Sequence, residues 1–127
     1  MLFLCYPKCT TCQKAMRWLD ERGVPYEYRD IKEANPTQDE LRDWRARSGL
    51  PLKRFFNTSG LQYKALDLKN RLPAMSEDEQ FALLATDGML VKRPLLVSGS
   101  FVLVGFREAE YAEALAAAEE EEATALA

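Results

Sequence analysis

The chain contains no histidine. That absence removes the usual general base, the imidazole ligand of most zinc sites, and every serine–histidine or cysteine–histidine pairing. Cysteine is scarce too: Cys5, Cys9 and Cys12 are the only three, one short of the four ligands of a closed structural zinc site, so no metal is expected. No apolar run approaches the ~20 residues of a membrane-spanning helix. Positive charge is not in excess, for the formal net charge is −3 and Glu119 to Glu122 form an acidic run. Such a balance gives no global attraction to phosphate backbones, which disfavours direct nucleic-acid binding. The apolar stretch Met1 to Tyr6 is too short for a secretory signal and has no basic leader, so the expected location is the cytoplasm, away from membranes. Thiols there are ordinarily reduced, and a disulfide is expected to be transient, catalytic or sensing.

What is present suits one domain over residues 1–127: 47% hydrophobic residues supply a core and 29% charged residues a wet surface. Leu2 to Cys5 is a short buried-strand candidate, followed by a helix carrying Ala15, Trp18 and Leu19 and stopped by Gly23. Val24 to Ile31 alternates as a strand does, which makes the first third a parallel βαβ unit. Thr37-Gln38-Asp39-Glu40 and Ser76-Glu77-Asp78-Glu79 have capping-box spacing and open two further helices. Shorter helical pieces lie between them, so residues from about 34 to 90 read as a helical insertion. Leu95 to Val97 and Phe101 to Val104, around Ser98-Gly99-Ser100, form a hairpin signal. A closing helix follows from Glu108 to Ala118, with Tyr111, Ala112 and Leu115 on one side. The Ala- and Glu-rich tail, 119–127, is expected to fray. The fold class is α/β with a mixed sheet: a thioredoxin-like βαβ…ββα order with a helical insertion.

The chemistry concentrates in Cys9-Thr10-Thr11-Cys12, where the first strand gives way to the first helix. A helix N-terminus favours a thiolate, and two cysteines at this spacing can close a disulfide across one turn. Cys9 is the candidate nucleophile and Cys12 the resolving thiol, which displaces reduced product from the Cys9 adduct. Lys8 and Lys14 are expected to add local positive charge. Cys5, at the end of the first strand, reads as a buried small hydrophobe, with a third redox thiol as the alternative. The second chemical segment is Lys92-Arg93-Pro94-Leu95-Leu96-Val97. Arg93 can hold a thiolate or grip an oxyanion with two donors. Asn57-Thr58-Ser59-Gly60 offers small polar groups that could line the thiol cleft, while Trp18, Trp44, Phe55 and Phe56 read as core.

Taken together, Tyr6 to Cys12, Phe55 to Gly60, Asp87 to Val97 and Val104-Gly105-Phe106 resemble the arsenate reductase (ArsC) and Spx/MgsR-like family of thioredoxin-fold proteins, over Leu2 to about Leu115. The resemblance implies that the proline at the start of the third strand, Pro94, is cis and packs against the active thiols, with Arg93 aimed at Cys9. In the glutaredoxin-coupled arsenate reductases of this family a cysteine at the position of Cys9 is the nucleophile and three arginines bind the oxyanion. Arg93 matches one of these; the other two positions fall at Asn57 and Gly105, and Cys5 stands where those enzymes carry a histidine. The implied substrate-binding set is therefore Lys8, Asn57, Arg93 and Pro94, and the implied electron source is an external thiol reductant, glutathione with glutaredoxin or thioredoxin, with no bound cofactor. The Spx-like members use a Cys-x-x-Cys as a redox switch and bind the C-terminal domain of the RNA polymerase α subunit, which adds that domain as a second candidate partner. The sequence thus carries two functional expectations: a thiol-dependent reductase, and a redox-sensing regulator.

Overall fold

The protein is described by a computed structural model over residues 1–126. Its sheet is built around β1 (Leu2–Cys5), which pairs in parallel with β2 (Glu27–Asp30) on one side and antiparallel with β3 (Leu95–Val97) on the other. β4 (Val102–Val104) pairs antiparallel with β3 and closes the order β2-β1-β3-β4. The connection from β1 to β2 is α1 (Thr10–Glu21), and Gly23, at φ 65°, lets the chain turn back after it. The thioredoxin-like order expected from the sequence is present.

Side chains alternate across β1, and that alternation divides the core. Phe3 and Cys5 face α1, where they pack with Cys12, Ala15, Trp18, Leu19, Leu96 and Tyr111. Leu4 faces the opposite side with Leu95, Val97, Val102 and Val104, against Trp44, Phe55, Phe56 and Phe81 of the insertion. Each fully buried Leu, Val or Phe side chain among them contributes roughly 1.5–3 kcal/mol of burial free energy.

Apart from one isolated bridge at Phe56, the regular elements of the insertion are helical. Both capping boxes form as their spacing implies: Thr37 and Glu40 cap α2 (Gln38–Ser48), and Ser76 and Glu79 cap α5 (Glu77–Leu84) by reciprocal side-chain and backbone bonds of 3.0–3.1 Å. Between them come a 3-10 turn (Leu52–Phe55), the short α3 (Leu61–Ala65) and α4 (Leu68–Arg71), and a second 3-10 turn (Leu72–Ala74). Arg29 of β2 anchors the beginning of the insertion. Its guanidinium donates to both carboxylate oxygens of Glu40 (2.7 and 2.9 Å) and to the carbonyl oxygens of Ala34 and Asn35 (2.8 and 3.1 Å). A third 3-10 turn (Gly88–Leu90) brings the chain back toward β3. It approaches so closely that a Cβ at Gly88 would lie 1.7 Å from the Ile31 carbonyl oxygen, so the position admits only glycine.

Three expectations change. β2 is confined to four residues with an exposed to half-buried pattern, because it is an edge strand and the Val24-Pro25 end has no partner to pair with. Ala112 is exposed, since α6 (Glu108–Leu126) turns Tyr111 fully inward and the next residue lies about 100° around the helix. The tail, expected to fray, continues α6 through Leu126 with residues 119–125 exposed, and Ala127 lies outside the described residues. Alanine and glutamate are good helix formers and let the helix run on without a docking face.

Gly88→Ala is expected to lower stability by about 1–3 kcal/mol or more, because the methyl group meets backbone that cannot move aside, and urea unfolding should show the midpoint falling. The Arg29 pairing, with the Thr37 backbone and side chain, holds the Glu40 carboxyl below its ordinary range against the opposing effect of burial. A carboxyl depressed in the folded state stabilises above its unfolded pKa, near 4.5, and that contribution is lost as pH falls through the folded value. Acid unfolding of Glu40→Gln should accordingly show a shallower loss of stability below pH 4.5 than the parent protein.

Candidate active site

Cys9 is the N-cap of α1, and its carbonyl oxygen accepts the first helical bond from the Gln13 N–H at 3.0 Å. Its thiol is half-buried and opens on a cleft of about 450 Å³. Cys12 lies one turn further on, on the inner face of α1, and is fully buried. The backbone N–H of Tyr6 donates to the Cys12 sulfur at 3.4 Å. A hydrogen bond with the Cys5 thiol, then burial, pushes the Cys12 thiol far above its usual range, although the Tyr6 and Cys9 hydrogen bonds act the other way. Cys12 is thus held as a neutral thiol, while Cys9 is the thiol that faces solvent. All three cysteines are free.

The opposite wall is made by the insertion and the segment leading into β3. An antiparallel bridge between Phe56 and Val91 joins them, with the Asn57 N–H donating to the Leu90 carbonyl and the Lys92 N–H to the Phe55 carbonyl, both at 2.8 Å. This bridge sets Asn57 beside Arg93. The Asn57 amide is assigned with its oxygen toward Arg93, where it accepts from Nη1 and Nη2 at 3.3 Å. Arg93 Nη1 also donates to the Met89 carbonyl oxygen at 3.2 Å, and the guanidinium carbon stands 5.4 Å from the centre of the Tyr6 ring. The cation is therefore oriented by its neighbours before any substrate enters, which lowers the entropy lost on binding.

Of the site residues expected from the sequence, Cys9, Asn57 and Arg93 line one cleft, with Ser59 and Gly60 beside them. Pro94 is buried behind Arg93, joined to it by a cis peptide bond, as the resemblance implied. Lys8 stands exposed in the turn before Cys9 and is not among the residues lining the cleft. Lys14 does not contribute to it either: five positions after Cys9 the helix has turned, and Lys14 lies in a separate groove with Arg17, Glu21 and Phe106. Thr58 likewise faces another groove, with Pro51 and Arg54. Cys5 is fully buried, as expected, and lies against Cys12. Thr11, Leu61, Gln62, Met89 and Lys92 complete the cleft lining; Thr11 and Lys92 fall inside the two chemical segments of the sequence without a role of their own there, and Leu61, Gln62 and Met89 are not legible as site residues. Leu61, 86% exposed at the cleft rim, carried a possible signal as an apolar residue directly after the Asn57 to Gly60 turn. Among the described residues no group of three or more Cys, Asp or Glu side chains is arranged to hold a metal ion, and no helix is long and apolar enough to cross a membrane.

The profile of the ArsC family matches residues 4–114, which include both cysteines of the motif, Asn57 and Arg93. The chain belongs to the ArsC family. It is similar to YusI of Bacillus subtilis, with 51% identity over 113 residues that cover 89% of this chain and 96% of YusI. More distantly it is similar to the regulatory protein MgsR of Bacillus subtilis, 26% identical over 87% of this chain and 86% of MgsR. Among solved structures, an ArsC family related protein of Bacteroides fragilis superposes with a TM-score of 0.87 at 57% identity, over 89% of this chain and 95% of that one. The arsenate reductase of Vibrio cholerae superposes with a TM-score of 0.70 at 25% identity, over 80% and 87%. The chain is therefore similar to a protein named as a reductase and to one named as a regulator.

Native alkylation should separate the three thiols. The reduced, folded protein treated with iodoacetamide at pH 8 is expected to take up one label, on Cys9, while Cys5 and Cys12 react only after denaturation. Cys9→Ser should abolish the native label, as read by intact mass.

Proposed function

We propose that this ArsC-family protein is a cytoplasmic, thiol-dependent redox protein acting as a reductase-like thiol–disulfide oxidoreductase. The observation that carries the reading is the pairing of a solvent-facing Cys9 with a buried Cys12 one turn away, opposite a pre-oriented Arg93. The Cys9 thiolate attacks one sulfur of an oxidised substrate disulfide; a bond forms between the two sulfurs and the other substrate sulfur leaves as a thiolate. Cys12 then attacks the Cys9 sulfur, the remaining substrate sulfur departs with the proton that Cys12 gives up, and a Cys9–Cys12 disulfide is left. An external thiol reductant, glutathione with glutaredoxin or thioredoxin, returns both cysteines to thiols. Arg93 holds the negative charge that develops on sulfur at the cleft.

A disulfide substrate fits the cleft better than a free oxyanion such as arsenate. The cations lining the cleft are Lys92 and Arg93, and Arg93 already donates to the Met89 carbonyl and to Asn57. Each missing charge-assisted hydrogen bond to a dianion costs roughly 1.5–3 kcal/mol, or one to two decades of affinity. The similarity to MgsR supports a second reading, in which the same dithiol is a sensor whose oxidation changes contacts with the RNA polymerase α C-terminal domain.

Turnover with a mixed glutathione disulfide, coupled to glutathione and its reductase, tests the first reading. Cys9→Ser should abolish turnover, Cys12→Ser should accumulate the Cys9 mixed disulfide, and Arg93→Ala should lose about one to two decades in kcat/KM. Absence of turnover, together with binding to the polymerase α C-terminal domain that depends on the redox state of Cys9 and Cys12, would replace the enzyme by the regulator.

A further inference from the structure

Cys5 has no part in the two-cysteine cycle, yet the fold puts it in contact with that cycle's central atom. It is the last residue of β1, and strand alternation turns it toward the same side as Phe3, onto the face covered by α1. Cys12 projects from the inner face of α1 onto the same patch, and both residues have 0% exposure. Cys9 packs against the edge of this cluster from the helix N-terminus. Cys5 and Cys12 are thus neighbours in one buried cluster. Cys12 therefore shares its surroundings with an inner thiol, Cys5, and an outer one, Cys9.

We propose that Cys5 is a third redox thiol, which takes over Cys12 from Cys9 by internal exchange and so moves the disulfide from the mouth of the cleft into the core. The step rests on the dithiol reading above and balances within the protein. An external disulfide such as glutathione disulfide first oxidises Cys9 and Cys12. The Cys5 sulfur then bonds to the Cys12 sulfur as the Cys12–Cys9 bond breaks, and Cys9 leaves as a thiolate that takes up the proton released by Cys5. No further oxidant is consumed.

Solvation gives the exchange its direction. A disulfide is uncharged and needs no hydrogen-bond partner, so it suits the apolar pocket of Phe3, Ala15, Leu19 and Leu96 around Cys5 and Cys12. The departing sulfur is the one that reaches water, at the N-terminus of a twelve-residue helix where negative charge is favoured. The exchange rate follows the stability of the leaving thiolate, and Cys9 is the best placed of the three to leave. In the oxidised protein the outer thiol is thus free again while the oxidising equivalent is stored inside.

The sequence supplies a direct test. Trypsin cuts after Lys8 and Lys14, so Cys5 falls in the peptide Met1 to Lys8, and Cys9 and Cys12 fall together in Cys9 to Lys14. The folded wild-type protein is oxidised with glutathione disulfide, labelled with N-ethylmaleimide and mapped by mass spectrometry. The expected result is a cross-link between the two peptides through Cys5 and Cys12, with the label on Cys9. In Cys9→Ser, which cannot start the sequence, no Cys5–Cys12 bond should form; in Cys5→Ala the disulfide should stay within one peptide and native labelling of the oxidised protein should be lost. A wild-type disulfide confined to Cys9 and Cys12, with Cys5 unlabelled until denaturation, overturns the relay and leaves the dithiol intact. A Cys5–Cys12 bond that forms equally well in Cys9→Ser also overturns it. If Cys9 forms no disulfide at all, the relay and the dithiol reading fall together.

Discussion

The structure depends on the two-sided burial of β1. Four residues long, this strand is paired on both edges and covered on both faces, so Phe3, Leu4 and Cys5 each lose essentially all contact with solvent. Its parallel pairing to β2 fixes where α1 must cross, and the crossing brings the helix N-terminus to the strand's C-terminal end. Its antiparallel pairing to β3 brings Pro94 and Arg93 to the same end. The meeting of thiol and guanidinium therefore follows from strand register rather than from any direct bond between them.

A second constraint sharpens the first. The single bridge between Phe56 and Val91 is a small piece of sheet outside the main one, yet it decides which residue of the insertion stands beside Arg93. With Gly88 pressed against the Ile31 carbonyl, the return of the insertion has little freedom, and the cleft inherits that rigidity.

Much of this was legible in the sequence because the signals were local. Cys9-x-x-Cys12 lies within one turn of a helix whose apolar spacing is plain, and both capping boxes announce helices that form as spaced. The closing hairpin and the core positions of Trp18, Trp44, Phe55 and Phe56 belong to the same class. What escaped depends on distant encounters. Arg29 reads as one charge in an alternating strand, and only the fold shows it clasping Glu40 eleven residues away. Tyr6 gives no sign that its ring will lie beside Arg93, and Met89 none that its carbonyl oxygen will hold that side chain. Lys14 is close to Cys9 in sequence yet lines a separate groove, because the helix turns the two apart within two turns. The tail has no apolar stripe to announce a helix, and backbone propensity carries α6 onward without one.

The sheet is also a partition. The thiols and their apolar surroundings lie on one face, and the packed body of α2 and α5 lies on the other, tied by Arg42 to Asp78 and by Arg45 to Glu77 at the solvent side. A change on the outer surface of α2 or α5 has a wall of paired backbone between it and the sulfur atoms. The outer surface of α2 and α5 can consequently change while the surroundings of Cys5 and Cys12 stay the same. That insulation offers a physical reason why one scaffold serves both proteins named for a reaction and proteins named for control.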